Sequence, residues 1–155
     1  MTNEEIMRRA IALSEENIKN GGGPFAAVIA KNGEIVAEGC NRVTSDKDPT
    51  AHAEVSAIRA ACKKLSTFNL SGYEIFTSCE PCPMCLGAIY WSHLNKIYYG
   101  NTREDAAKIG FDDDFIYREI PLPIQKRKIP LQNLLRGESI NCFKLWSESS
   151  DKTEY

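Results

Sequence analysis

Two short stretches about thirty residues apart, His52-Ala53-Glu54 and Pro81-Cys82-Pro83-Met84-Cys85, decide what this chain has to build. One His and two Cys supply three zinc ligands, so the fold must carry two distant segments to one point. Three protein ligands leave the fourth tetrahedral position to water, as catalytic zinc sites do and closed structural sites do not. Glu54 stands two residues from His52, ready to move that water's protons, and zinc held this way lowers the pKa of its water to about 7.

The remaining cysteines do not fit the metal set. Cys79 lies near Cys82, but a third thiolate would fill the open position, so it reads as a buried neighbour. Cys40, Cys62 and Cys142 fall in apolar patterns and read as core. Six cysteines in a reducing compartment serve better as ligands and small hydrophobes than as disulfides.

At 155 residues and 43% hydrophobic content the chain is long enough for one well-filled core and too short for two ordinary domains, so residues 1–155 read as a single domain. The acidic start Met1-Thr2-Asn3-Glu4-Glu5 lacks a signal peptide's basic and apolar regions, and no apolar run reaches membrane-spanning length. The expectation is a cytoplasmic protein with no membrane partner. A formal charge of −2 argues against a nucleic-acid footprint, and Lys126-Arg127-Lys128 reads as a solvated loop. His93, in Ser92-His93-Leu94-Asn95, also reads as a loop residue.

The hydrophobic pattern orders the elements. Ile6, Ala10, Leu13 and Asn17 recur at helical spacing and stop at Gly21-Gly22-Gly23-Pro24. The runs 25–30 and 35–40 read as two strands, joined by an Asn32-Gly33 hairpin signal. A second helix is capped at Asp48 or Thr50, with Pro49 in its first turn and Val55, Ile58, Cys62 and Leu65 on one face. Residues 73–77 predict a third strand leading through Pro81-Cys82 into a third helix, and 96–100 a fourth strand. The strand and helix alternation implies parallel pairing and helices on both faces of a mixed sheet, an α/β protein with three layers, α/β/α. Pro121, Pro123 and Pro130 mark residues 112–130 as a long loop with a short helix, before a terminal helix through Ile140, Phe143 and Trp146 and a polar tail.

His-x-Glu followed by Pro-Cys-x-x-Cys is the pattern of zinc-dependent nucleobase deaminases, in which the Glu is general acid/base and not a ligand. Further stretches narrow the resemblance: 22–29 (GGPFAAVI), 48–55 (DPTAHAEV), 77–91 (TSCEPCPMCLGAIYW), 110–113 (GFDD) and the terminal Glu154-Tyr155. Together they resemble the bacterial guanine deaminases of the cytidine/deoxycytidylate deaminase superfamily along essentially the whole chain.

That resemblance implies a cytidine-deaminase-like fold with a mixed five-stranded sheet, and hydrolysis of the free purine base guanine to xanthine and ammonia. It places one zinc on His52, Cys82 and Cys85, catalysis on Glu54 and Asp113, and base recognition on Asn41. Phe25 and Trp91 are candidates for stacking on the purine, and Tyr155 for closing the site. Asp112 and Asp114 are left to water. The resemblance also implies a homodimer, with the C-terminal segment exchanged between subunits. Guanosine or an amino-triazine such as ammeline remains open as a substrate. A tRNA adenosine deaminase shares the cysteine stretch but has a basic terminal helix, which is lacking here. A non-catalytic zinc module is opposed by Glu54 and the missing fourth ligand.

Overall fold

A computed structural model describes all of Met1–Tyr155, and it falls into two compact units, Met1–Tyr117 and Arg118–Tyr155. In the first unit α1 (Asn3–Lys19) begins at a capping box in which Thr2 and Glu5 satisfy each other's backbone N–H. Strands β1 (Ala26–Lys31) and β2 (Glu34–Cys40) pair antiparallel. Their turn places Asn32 at φ +50° and Gly33 at φ +80°, the two positive φ values a type I′ hairpin needs. A short helix, α2 (Val43–Asp46), follows and precedes α3 (Ala53–Leu65), β3 (Glu74–Cys79), α4 (Pro83–Trp91) and β4 (Lys96–Asn101).

The sheet order is β2-β1-β3-β4, with β1 antiparallel to both neighbours and β3 parallel to β4. It has four strands, not the five implied by the resemblance. Beyond β4 the Thr102–Asp105 capping box turns the chain into α5 (Arg103–Lys108), a helix not foreseen in the sequence. The three prolines that follow lack the N–H a ladder requires.

Alternate residues of β1 feed two cores. Ala26, Val28 and Ala30 pack with Ile6, Ala10, Leu13 and Phe76 under α1. Ala27 and Ile29 pack with Ala57, Ala61, Ile75 and Ile89 under α3 and α4. The sheet is therefore covered on both faces, as the strand and helix pattern implied.

The buried face of α3 is Ala53, Glu54, Ala57 and Ala61; the larger Ile58, Cys62 and Leu65 pack only at its margin. The cause lies on β2. A Cβ at Gly39 would collide with Ala53 O and Ala57 N, so the helix backbone rests directly on the strand there. Small residues on this face bring the start of α3 onto the sheet.

The rest of the chain is α6 (Asp114–Glu119), a 3-10 turn at Ile124–Lys126 and α7 (Arg136–Glu148). In the second unit Lys128 N–H donates to Glu119 and Arg127 to Ile120 O, each at 2.8 Å. No residue of α7 is buried, and Cys142, placed in the core by its apolar neighbours in sequence, is exposed. No helix is long and apolar enough to cross a membrane.

Candidate active site and metal centre

His52 and Cys82 are the N-cap residues of α3 and α4, both with extended backbone (φ −67° and −68°). The second helix therefore starts later than Asp48 or Thr50, and His52 occupies the cap position with no side-chain cap bond of its own. Two helix N-termini converge on one point, and their partial positive charge favours thiolate. Cys85, one turn into α4 and fully buried, donates its N–H to the Cys82 sulfur at 3.5 Å.

The His52 Nδ1 lies 3.5 Å from both Sγ atoms, and all three donor atoms fall within 4.8 Å of one another. Tetrahedral zinc, with bonds near 2.05 Å to N and 2.3 Å to S, requires an N···S separation of about 3.6 Å. The donor set and spacing fit one zinc ion on His52, Cys82 and Cys85.

Hydrogen bonding from Cys85 holds the Cys82 thiol well below the usual thiol range, with His52 adding to the effect. Cys85 is pushed up because it shares its proton with Cys82 and is buried. The shared proton thus favours thiolate on Cys82 over Cys85, and a bound dication would favour it on both. Cys79 is the opposite case: burial pushes it up to about 12, and it stands outside the donor cluster, donating instead to Thr102 O at 3.7 Å.

A cavity of about 350 Å³ opens beside the donors, within the range of small-molecule sites. Glu54 lines it, only 8% exposed, with Oε2 3.4 Å from the Cys85 sulfur. Burial pushes the Glu54 carboxyl up to about 7. Asn41 and Asp113 also line the cavity. The Asn41 Oδ1 accepts from Val43 N–H at 3.2 Å, which leaves its NH₂ as the donor toward a ligand. Asn17 of α1 braces this wall from behind, its Nδ2 donating to Gly23 O at 2.8 Å and Asn41 O at 2.9 Å. Burial raises the Asp113 carboxyl above the ordinary range for Asp.

Phe25 lines the cavity and meets the edge of Phe111 at 4.9 Å between ring centroids. Trp91 ends α4, 67% exposed, and is not among the lining residues. Tyr155, exposed, ends the second unit. Asp112 also borders the cavity, but it is exposed and its Oδ1 accepts from Phe115 N–H at 3.2 Å; Asp114 is half-buried rather than left to water.

No place in the site was expected for Phe111, Val43, Pro49, Ala106 or Ile116, which add to the apolar lining. For Phe111 and Pro49 a signal existed, their places in Gly110-Phe111-Asp112-Asp113 and in the 48–55 stretch. The other three carry no local mark.

Comparisons with known proteins agree with this geometry. The model of the cytidine and deoxycytidylate deaminase zinc-binding region matches residues 1–101. The guanine deaminase of Bacillus subtilis is 49% identical over 100% of both chains. Its X-ray structure superposes with a TM-score of 0.97 at 49% identity, covering 100% of this chain and 99% of that one. The tRNA-specific adenosine deaminase of Aquifex aeolicus is 38% identical over 64% of this chain and 66% of its own. A structure solved in complex with 8-azaguanine is 39% identical with a TM-score of 0.70, covering 72% of this chain and 65% of that one.

Proposed function

The chain belongs to the zinc-binding cytidine and deoxycytidylate deaminase family, and from that premise we propose that it hydrolyses guanine to xanthine and ammonia, residues 1–155 acting as one deaminase domain. The observation that carries this reading is the buried Glu54 carboxyl beside a three-donor metal set, lining a small-molecule-sized cavity that Asn41 and Asp113 also line. Full-length similarity to a guanine deaminase, and partial similarity to a protein that binds 8-azaguanine, favour guanine over the other amino-heterocycles.

Zinc on His52, Cys82 and Cys85 supplies Lewis acidity and an activated water. The residues of the chain do the rest. Glu54 accepts the proton of the attacking water as the new C2–O bond forms, and delivers it to a ring nitrogen. As the C2–N bond breaks, Glu54 takes the second proton from the new C2 hydroxyl and passes it to the departing amine, which leaves as ammonia with a C2 carbonyl left behind. A buried carboxyl near 7 is suited to taking and giving a proton at neutral pH.

The Asn41 NH₂ donates to the purine O6, and Asp113 accepts from the 2-amino group. Phe25 covers a face of the ring. The same reading makes the enzyme a cytoplasmic homodimer with an exchanged C-terminal segment, Tyr155 closing the partner's cavity. It is supported by Phe143, Leu145 and Trp146, which α7 leaves exposed.

An ammonia-release panel of guanine, guanosine, adenine, cytosine, ammeline and a tRNA anticodon stem-loop tests the substrate. Guanine is expected to turn over fastest. Faster release from adenine, cytosine or the stem-loop would overturn the assignment.

A further inference from the structure

The segment carrying Phe111 and Asp113 leaves the metal loop at one end and is fastened back to it at the other. At the start, Glu80 N–H donates to Asn101 O at 2.8 Å, and Arg103 Nε lies 3.5 Å from Glu80 Oε2. At the far end the Tyr117 hydroxyl donates to Pro81 O at 2.7 Å, on the residue preceding the ligand Cys82. The Arg103 guanidinium lies over the Tyr117 ring, 4.6 Å from its centroid, so the two fastenings brace each other.

Tyr117 is tied to Asp113 as directly as to the metal loop. Its backbone N–H, with that of Ile116, donates to Asp113 O at 3.2 and 3.0 Å in the first turn of α6. A helix of six residues is too short to fix its own position, so an outside contact decides where that turn sits. We propose that Tyr117 is a positioning residue, its hydrogen bond to the Pro81 carbonyl setting Asp113 at the correct distance from the metal centre. This rests on the role given to Asp113 above and extends it to a residue outside the cavity lining.

The test is a double-mutant cycle on the zinc-loaded enzyme with guanine. Tyr117→Phe keeps the ring under Arg103 and removes only the donor. Its kcat/KM is expected to fall about three- to tenfold, the range a single neutral hydrogen bond commands, with one zinc per chain retained. Asp113→Ala is expected to lose about tenfold or more, since a buried N–H of the substrate is left unsatisfied. Adding Tyr117→Phe to Asp113→Ala is expected to cost nothing further, because the latch acts only through Asp113.

Wild-type turnover in Tyr117→Phe, loss of zinc, or an equal further loss on the Asp113→Ala background would each overturn the latch. Wild-type turnover in Asp113→Ala would instead remove Asp113 from the site, and the latch with it.

Discussion

The two units use their apolar side chains in opposite ways. In Met1–Tyr117 five consecutive residues of β1 are sealed between two cores, and the metal donors sit where helices α3 and α4 start against that sheet. In Arg118–Tyr155 no residue of the 13-residue α7 is buried, and Phe143 and Leu145 are each 70% exposed. A helix of that length is marginal alone in water, and apolar side chains left open mark an association surface. Catalytic geometry needs a scaffold that does not yield, so the chemistry sits in the first unit. The exposed apolar surface of the second is the ground for the subunit contact proposed above.

The largest effect should come from the point where the two starting helices meet. Cys82→Ala removes both a zinc ligand and the cap that accepts the Cys85 N–H. More than about a hundredfold loss of zinc affinity is expected, together with loss of turnover and a lower Tm, because metal binding and folding are linked. Metal analysis and calorimetry on the purified variant check it. A variant that keeps its zinc would mean that the donor set is not His52, Cys82 and Cys85.

Gly39→Ala probes the scaffold without touching a ligand. The new methyl must push Ala53 and Ala57 away from β2, at a cost of about 1 to 3 kcal/mol, and shift His52 at the head of the same helix. Chemical denaturation should show the loss of stability and metal titration a weakened site. Unchanged stability would mean that α3 is free to relax and that its small-residue face does not set the position of the site.

Deleting residues 150–155 makes the opposite test in the second unit. Turnover of guanine should fall while zinc content and Tm stay within error, since none of these side chains is buried. Normal turnover would leave the tail without a part in the proposed closure.

These contrasts also explain what the sequence could reveal. The metal set was legible because tetrahedral zinc restricts residue type and spacing together, and His52 with Cys82-x-x-Cys85 satisfies both. The hairpin was legible because Asn32-Gly33 reports a local φ requirement. On α3 the sequence put the larger Val55, Ile58, Cys62 and Leu65 on one face, and Ile58, Cys62 and Leu65 do pack at the margin of the core, but the fully buried stripe is Ala53, Glu54, Ala57 and Ala61. What decides that face is the absence of a side chain at Gly39 on another element, a contact no helical period contains. Cavity membership fails to show locally for the same reason. Val43 at the start of α2, Pro49 in a turn and Ile116 in α6 reach the site through tertiary placement, while Trp91, an aromatic beside the motif, is left exposed at the end of α4. In the second unit the helical spacing of Ile140, Phe143 and Trp146 correctly marked α7, but the spacing alone does not say whether the stripe is buried, and none of it is.

In the proposed mechanism Glu54 moves protons beside a metal that it does not hold. Zinc stoichiometry measured together with guanine turnover in Glu54→Ala tests this. Roughly one zinc per chain and a loss of at least about a hundredfold in turnover are expected. Loss of the metal, or turnover near that of the unmodified enzyme, would contradict it.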